Sequence, residues 1–156
     1  MYGQYIGDVG CIALSDAAVH GAFRSLTELD IGFNYIGDHG LKTFALRCTE
    51  GAFPSLRKLH FASNKIGALG MQDFSTALMK GALYNVDELS MTVSAFTKGD
   101  LKPFTKAIES GAMVSLKKFE TDAYFGSPAS IKDDIDDLRH VCRQRGIKYR
   151  PSHLVS

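Results

Sequence analysis

Apolar and polar positions of this chain recur with a period of 30 residues. A Gly-Ala pair opens four successive segments, at residues 21, 51, 81 and 111. Each segment contains a stretch of six residues, at 26–31, 56–61, 86–91 and 116–121. The fourth and sixth places of this stretch are both apolar in three of the four copies, and this period of two predicts a strand with one buried face. Apolar residues spaced three and four apart follow, as in an amphipathic helix. A fixed repeat of this length predicts a solenoid, in which each unit buries its core against its neighbours.

The pattern predicts strands and helices in strict alternation. The strands are expected at 27–31, 57–61, 87–91, 117–121 and 147–149, and the helices at 8–19, 38–49, 68–80, 98–110 and 131–145. Paired glycines, such as Gly37 and Gly40, recur with the repeat. Their recurrence predicts turns rather than phosphate-binding loops.

An asparagine follows two successive strands at the same place of the repeat. Asn34 and Asn64 can each use the side-chain amide donors and oxygen on backbone groups of neighbouring turns. We therefore expect both to be buried and to form a ladder of side-chain to backbone hydrogen bonds. Ser94 and Tyr124 stand at the corresponding places of the next units, where the ladder is expected to weaken.

Two near-consensus segments carry a resemblance to a known family. Leu26-x-x-Leu29-x-Ile31-x-x-Asn34-x-Ile36-Gly37 and its copy 30 residues later resemble the leucine-rich repeat, over roughly residues 4 to 121. The long, helix-bearing unit is similar to the ribonuclease-inhibitor-like subclass. The resemblance implies a right-handed α/β solenoid, a partial horseshoe with a parallel sheet on its concave face and helices on its convex face.

The two ends of the array are expected to differ. Residues 1–128 are predicted to be leucine-rich repeats that start within a repeat. Residues 129–156 are predicted to be a capping helix and an edge strand, because acidic residues precede basic ones along 131–145 and Gly146 can end a helix. At the opposite end, the strand that should precede Ile6 is missing, so we expect self-association or further repeats there.

Composition and charge exclude several classes of function. The 156 residues carry 18 Lys and Arg against 17 Asp and Glu, so the net charge of +1 provides no bulk attraction to nucleic acid or to a membrane. The three cysteines are widely spaced, which argues against disulfides and a zinc site, and the histidines show no metal-ligand spacing. No signal or membrane-spanning segment is evident, which predicts an intracellular, cytoplasmic protein. The residues imply no metal or cofactor.

The fifth place of successive strands combines residue types found in nucleophilic triads. Asp30, His60, Ser90 and Glu120 occupy this column, with neighbouring strands about 4.8 Å apart. The site would be open to water, with strand amides committed to the sheet and no donors for an oxyanion. The column is therefore expected to bind a partner, and the chain is not expected to be an enzyme.

The third place alternates in charge and offers a second polar column. Glu28, Lys58, Glu88 and Lys118 stand there, and opposite charges on adjacent strands attract. Either strand register or partner recognition explains the pattern. Phe33, like Val93, is an apolar candidate for contact beyond the strand, and a core or inter-repeat role is the alternative for Phe33. A cationic group either complements a helix dipole or meets a phosphate or an acidic protein; its members are Arg139, His140, Arg143, Arg145, Lys148 and Arg150.

These observations predict a non-catalytic protein–protein interaction module, a scaffold that binds a protein partner through its concave sheet. The expected binding residues are Glu28, Asp30, Phe33, Lys58, His60, Glu88, Ser90, Lys118 and Glu120. The alternative, implied by the subclass resemblance, is a regulator of an enzyme or small GTPase that uses the same surface. Nucleic acid and membranes are not expected as partners.

Overall fold

A computed structural model describes residues 2–92, 96–122 and 131–151. The elements alternate along the chain. The helices are α1 (Gly7–Val19), α2 (Asp38–Thr49), α3 (Ala68–Met79), α4 (Lys102–Glu109) and α5 (Lys132–Gln144), and the strands are β1 (Glu28–Asp30), β2 (Lys58–His60), β3 (Glu88–Thr92), β4 (Lys118–Asp122) and β5 (Lys148–Pro151). Residues 1, 93–95, 123–130 and 152–156 lie outside the described residues, and so do the predictions on Val93, Ser94 and Tyr124.

The described strands form one parallel sheet in chain order, β1-β2-β3-β4-β5. Leu29, Leu59, Leu89, Phe119 and Tyr149 are partners in register across the sheet. Each residue of a strand therefore pairs with the residue 30 positions later in the next strand, which is the period of the sequence. Strand, turn and helix alternate as a solenoid requires, and the predicted α/β architecture is confirmed.

Helix α4 begins at Lys102 and not at residue 98 as predicted. The preceding residues form a turn instead, in which the Asp100 carboxylate accepts hydrogen bonds from the backbone N–H and the hydroxyl of Thr97, at 2.7 and 3.0 Å. Pro103 stands in the first helical turn, where its missing N–H leaves no intrahelical bond unmade. A local side-chain bond thus shortens this helix.

Aromatic rings link the repeats inside the core, between the sheet and the helices. Phe74 contacts Phe61 of its own unit and Phe104 of the next, with ring centroids 5.5 and 6.4 Å apart. Phe104 in turn lies 5.2 Å from Phe119. Because each ring bridges two layers or two units, removing one unit would expose its neighbour's core.

The predicted asparagine ladder joins consecutive turns. The Asn64 side-chain oxygen accepts from the N–H groups of Asn34 and Ile36, at 3.1 and 3.0 Å, and its amide donates to the carbonyls of Ile31 and Phe61, both at 2.9 Å. The Asn34 oxygen accepts in the same way from residues 4 and 6. The predicted hydrogen bonds are confirmed.

Burial differs between the two asparagines. Asn34 is fully buried, whereas Asn64 is only half-buried, so the predicted burial is wrong for Asn64. Asn34 lies between residues 4–6 and the Asn64 turn and is bonded to both.

The second glycine of each pair lies within a helix, so the prediction that both glycines mark turns is wrong. Gly40 and Gly70 lie in the first turns of α2 and α3. A methyl group at Gly70 would lie 2.8 Å from the Cα of Asp38 in the preceding helix. Glycine is therefore required here by the close approach of neighbouring helices.

The last described unit continues the same layers. α5 packs against α4, and β5 pairs with β4. Gly146 has a φ of +69°, which allows the chain to turn after α5 as predicted. The guanidinium of Arg145 donates to the carbonyls of Ile108 and Ala112, at 2.7 and 2.8 Å. The proposed boundary between 1–128 and 129–156 falls outside the described residues and stays a prediction.

Candidate functional site: the sheet face and an aromatic groove

The alternating third column forms ion pairs across the sheet. Nζ of Lys58 lies 3.6 Å from Oε1 of Glu88, and Nζ of Lys118 lies 3.4 Å from Oε2 of the same carboxylate. Lys118 also reaches Oε1 of Glu120 at 2.9 Å. Glu28 is exposed and stands opposite Lys58 in register. The column therefore stabilises strand register and offers charges on the sheet face.

These ion pairs set the protonation of the central residues. Partial burial alone would raise the pKa of Glu88, but the charges and hydrogen bonds of Lys118 and Lys58 outweigh it and hold that pKa below its ordinary value. The hydrogen bond from Lys118 to Glu120 raises the pKa of Lys118, aided by the charges of both carboxylates and opposed by burial. Both groups are thus charged at neutral pH.

The fifth column is in register but is not assembled as a triad. Asp30 stands opposite His60, and His60 opposite Ser90. Oδ1 of Asp30 instead accepts from the backbone N–H of Gly32, at 2.9 Å. Within the described part of the chain no hydrogen bond joins these three side chains, so the sheet presents them as separate polar groups.

The last strand extends both columns beyond the predicted set. Lys148 stands opposite Lys118, and Arg150 stands opposite Glu120, both exposed. The first strand contributes Glu28 and the Asp30 carboxylate at the other edge. The described sheet face therefore changes from acidic at β1 to basic at β5.

Phe33 is exposed as predicted, but it lies in the loop after β1, apart from the two columns. Its side chain is 48% exposed, and its ring centroid lies 4.8 Å from that of Tyr2. Tyr5 stacks on Tyr35 beside this pair, with centroids 5.3 Å apart and an angle of 28° between the planes. The Nζ of Lys65 lies 4.5 Å from the centroid of Tyr35. Tyr2 and Tyr5 precede α1, whereas Phe33 and Tyr35 follow β1 and Lys65 follows β2.

Together the four rings and Lys65 line a groove of about 380 Å³, here called the aromatic groove. Sequence reasoning found only Phe33 of this site. A signal was present, since Tyr5, Tyr35 and Lys65 occupy one place of the 30-residue repeat. Stacking the units turns this place into a column of two rings and a cation.

A second depression of about 310 Å³ lies between α4 and α5. Its charges are mixed, with Lys102 and Lys106 on one helix and Asp134 and Asp137 on the other. The cationic group near the end of the chain is not one patch either. Arg145 binds the carbonyl groups of Ile108 and Ala112, as described above. Among the described residues no cluster of His, Cys, Asp and Glu is arranged to hold a metal ion.

The fold and the repeated columns define an α/β leucine-rich-repeat solenoid. The chain contains leucine-rich repeats: a family model described as "Leucine Rich repeat" matches residues 24–45 and 54–75. A solved structure of "Leiomodin-1 Actin-Binding Site 2 (ABS2)" is similar, with a TM-score of 0.63, 14% sequence identity, and coverage of 92% of this chain and 81% of that chain. At this identity the similarity shows the fold. A search of curated proteins gave no match. No helix of the described residues is long and apolar enough to cross a membrane.

Proposed function

We propose that this chain is a non-catalytic interaction module that binds a protein partner through its concave sheet face. The observation that carries the proposal is the set of polar columns in register across the described strands. The proposed contact residues of the sheet are Glu28, Asp30, Lys58, His60, Glu88, Ser90, Lys118 and Glu120, with Phe33 at the rim. The strand amides are committed to the sheet, so side chains would carry the recognition.

The charge distribution indicates what kind of partner would fit. Glu28 and Asp30 make the β1 edge acidic, whereas Lys148 and Arg150 make the β5 edge basic. A partner surface with basic groups at one end and acidic groups at the other would be steered into one orientation. Such steering predicts association that slows as ionic strength rises.

Two finer assignments belong with this proposal. The 30-residue unit with helices of 12 and 13 residues supports placement in the ribonuclease-inhibitor-like subclass. Regulation of an enzyme or small GTPase through the same face is the alternative role for the module. The interaction module and the regulator would use the same sheet face, so one set of variants tests that face for both roles.

Affinity capture with matched charge variants tests the proposal. Proteins retained from a cell extract are identified, and their binding is measured with the concave variant Lys58→Glu/Lys118→Glu and with the helix-face variant Lys42→Glu/Lys102→Glu. We expect the concave variant to weaken binding by about tenfold or more and the helix-face variant to change it little. Purified actin is included as a defined probe, because the similar solved structure is an actin-binding site.

A neutral variant separates loss of recognition from loss of fold. Lys118→Glu would place a third carboxylate beside Glu88 and Glu120, so Lys58→Gln/Lys118→Gln is measured in parallel, with thermal melts of all variants. Equal weakening by the concave and helix-face variants would remove the sheet face as the binding surface.

A further inference from the structure

We propose that the aromatic groove binds a proline-rich peptide segment in the polyproline II conformation, with an acidic residue beside the prolines. The groove lies between residues 2–5, which precede α1, and the loops after β1 and β2. It shares Phe33 with the rim of the sheet face but contains none of the residues of the two polar columns. It is therefore a second binding site, beyond the proposed function of the sheet face.

The groove offers flat apolar surfaces at a protein surface. Tyr2, Tyr5 and Tyr35 are 57%, 73% and 53% exposed, and Phe33 is 48% exposed. The rings stand in two pairs, Tyr2 with Phe33 and Tyr5 with Tyr35. Pyrrolidine rings pack on such aromatic faces, and aromatic-lined grooves are a general means of binding polyproline II segments.

The polar groups of the groove match the backbone of such a segment. A polyproline II chain has no internal hydrogen bonds, so its carbonyl groups remain available as acceptors. Tyr2, Tyr5 and Tyr35 supply phenolic donors, and in the described structure no hydrogen bond uses their hydroxyl groups. Phenols aligned along a groove can therefore bind carbonyls without competing with bonds inside the fold.

Three backbone N–H groups of the groove already donate within the fold, which disfavours pairing with an added strand. The N–H of Gly3 donates to the carbonyl of Gly32, and the N–H of Phe33 donates to the carbonyl of Ala62, both at 3.0 Å. The N–H of Lys65 donates to the carbonyl of Ile36, at 2.7 Å. Strand addition needs free backbone groups, so a peptide that is recognised through its rings and carbonyls fits better.

The backbone conformation of the groove belongs to the turns of the repeat. Tyr5, Phe33 and Tyr35 have φ values of 55°, 56° and 57°, and Ser63 and the core residue Phe53 share this conformation. Asparagine and glycine occupy this region more readily than a bulky residue, so a variant at these places should be chosen to tolerate positive φ.

Charge complementarity identifies the flanking residue. Among the described residues that line the groove, Lys65 is the one with a charged side chain. Its ammonium group lies over the ring of Tyr35 at the edge of the groove. A carboxylate next to the prolines would pair with this ammonium group, whereas a lysine or arginine there would be repelled. The same charge argues against a basic proline-rich ligand.

The test uses fluorescein-labelled peptides and fluorescence anisotropy with the whole chain. The probe is hexaproline followed by two aspartates. One comparison peptide replaces the prolines by alternating glycine and serine, and another replaces the aspartates by lysines. We expect saturable binding of the probe at or below about 1 mM, with weaker binding of both comparison peptides.

Matched variants locate the site. Phe33→Asn and Tyr35→Asn each remove a ring and introduce asparagine, which tolerates positive φ. Each is expected to weaken binding of the probe by about tenfold or more. Tyr84→Asn, at another exposed tyrosine, is the control and should leave affinity unchanged. Lys65→Glu should reverse the preference between the aspartate and lysine peptides. Thermal melts confirm that each variant is folded.

Several results would overturn the proposal. These are no binding of the probe, equal binding of the glycine-serine peptide, or affinity unaffected by Tyr35→Asn. A dimer in sedimentation experiments that dissociates with Tyr35→Asn would identify a second copy as the occupant, and preferential binding of a thymidine oligonucleotide would identify nucleic acid. Lys58→Glu/Lys118→Glu should leave peptide binding intact, so failure of the groove and failure of the sheet face are distinguishable.

Discussion

The Asp38 carboxylate joins two repeats by accepting a hydrogen bond from the backbone N–H of Gly67, with 2.6 Å between Oδ1 and N. Asp8 makes the same bond to Gly37, also at 2.6 Å. Gly67 stands immediately before α3, where backbone N–H groups lack intrahelical partners. One side chain of the preceding helix therefore satisfies a donor at the start of the next.

Replacing Asp38 should destabilise the array. Asp38→Ala leaves the Gly67 N–H without its charged acceptor, and we expect a loss of about 1.5–3 kcal/mol of unfolding free energy in a denaturant titration. Asp73→Ala is the control, because Asp73 forms an exposed ion pair with Lys42 and should cost about 1 kcal/mol or less. Equal losses in the two variants would contradict a capping role for Asp38.

Asn64 should contribute more to stability than an exposed asparagine. Asn64→Ala removes bonds to four backbone groups of two turns, and we expect it to cost about 1–3 kcal/mol. Asn85 makes one exposed bond to the carbonyl of Pro54, so Asn85→Ala serves as the comparison. An unchanged thermal melt for Asn64→Ala would refute the structural role of the ladder.

Gly70→Ala should reverse the usual effect of alanine in a helix. Helix propensity alone would favour alanine by about 1 kcal/mol. The added methyl group would meet backbone of Asp38, however, and overpacking of this kind costs about 1–3 kcal/mol. Denaturant titration should show net destabilisation, whereas Gln72→Ala, at an exposed site of the same helix, should have little effect. Stabilisation by Gly70→Ala would mean that the helices separate easily.

Glu88 should make the stability of the sheet depend on pH. Its pKa is lower in the folded chain than in the unfolded chain, so its contribution is present above the unfolded value of about 4.3 and is lost as pH falls through the folded value. Glu88→Gln should therefore cost about 1 kcal/mol or less at pH 7 and nothing at the acid end. Exposed Glu109→Gln is the control. A pH-independent effect of Glu88→Gln would contradict the ion pairs.

The three cysteines should resist thiol reagents in the native protein. Burial raises the pKa of Cys11 to about 12, with a further increase from Asp8 that a hydrogen bond with Ser15 opposes. Burial also raises the pKa of Cys142 to about 11, although Arg145 opposes it, and raises that of Cys48 further. Thiolate is the reactive form, so labelling at pH 8 should need denaturant. Rapid labelling of any of the three in folded protein would show that its site opens readily.

The aromatic groove and the Asp–Gly bonds were not predictable from local pattern alone. Tyr5 and Tyr35 repeat in the sequence, but apolar periodicity assigns residues to strands and helices and gives no direction to a loop side chain. Whether the two rings stack outward depends on loop conformation, here with positive φ at both residues. The Asp30 carboxylate likewise accepts a hydrogen bond from a local backbone donor, the N–H of Gly32, which the column pattern did not indicate.

Sequence alone determined the architecture, because a repeat imposes its period on the sheet. Leu29 and Leu59 must fall opposite each other when each unit buries the same places, and the charge columns of Glu28, Lys58, Glu88 and Lys118 follow from that register. Tertiary structure decided how closely the units approach, since that distance depends on packing between helices. It placed Gly70 against Asp38 and left Asn64 half-buried, because both outcomes depend on which atoms of other elements lie next to each residue.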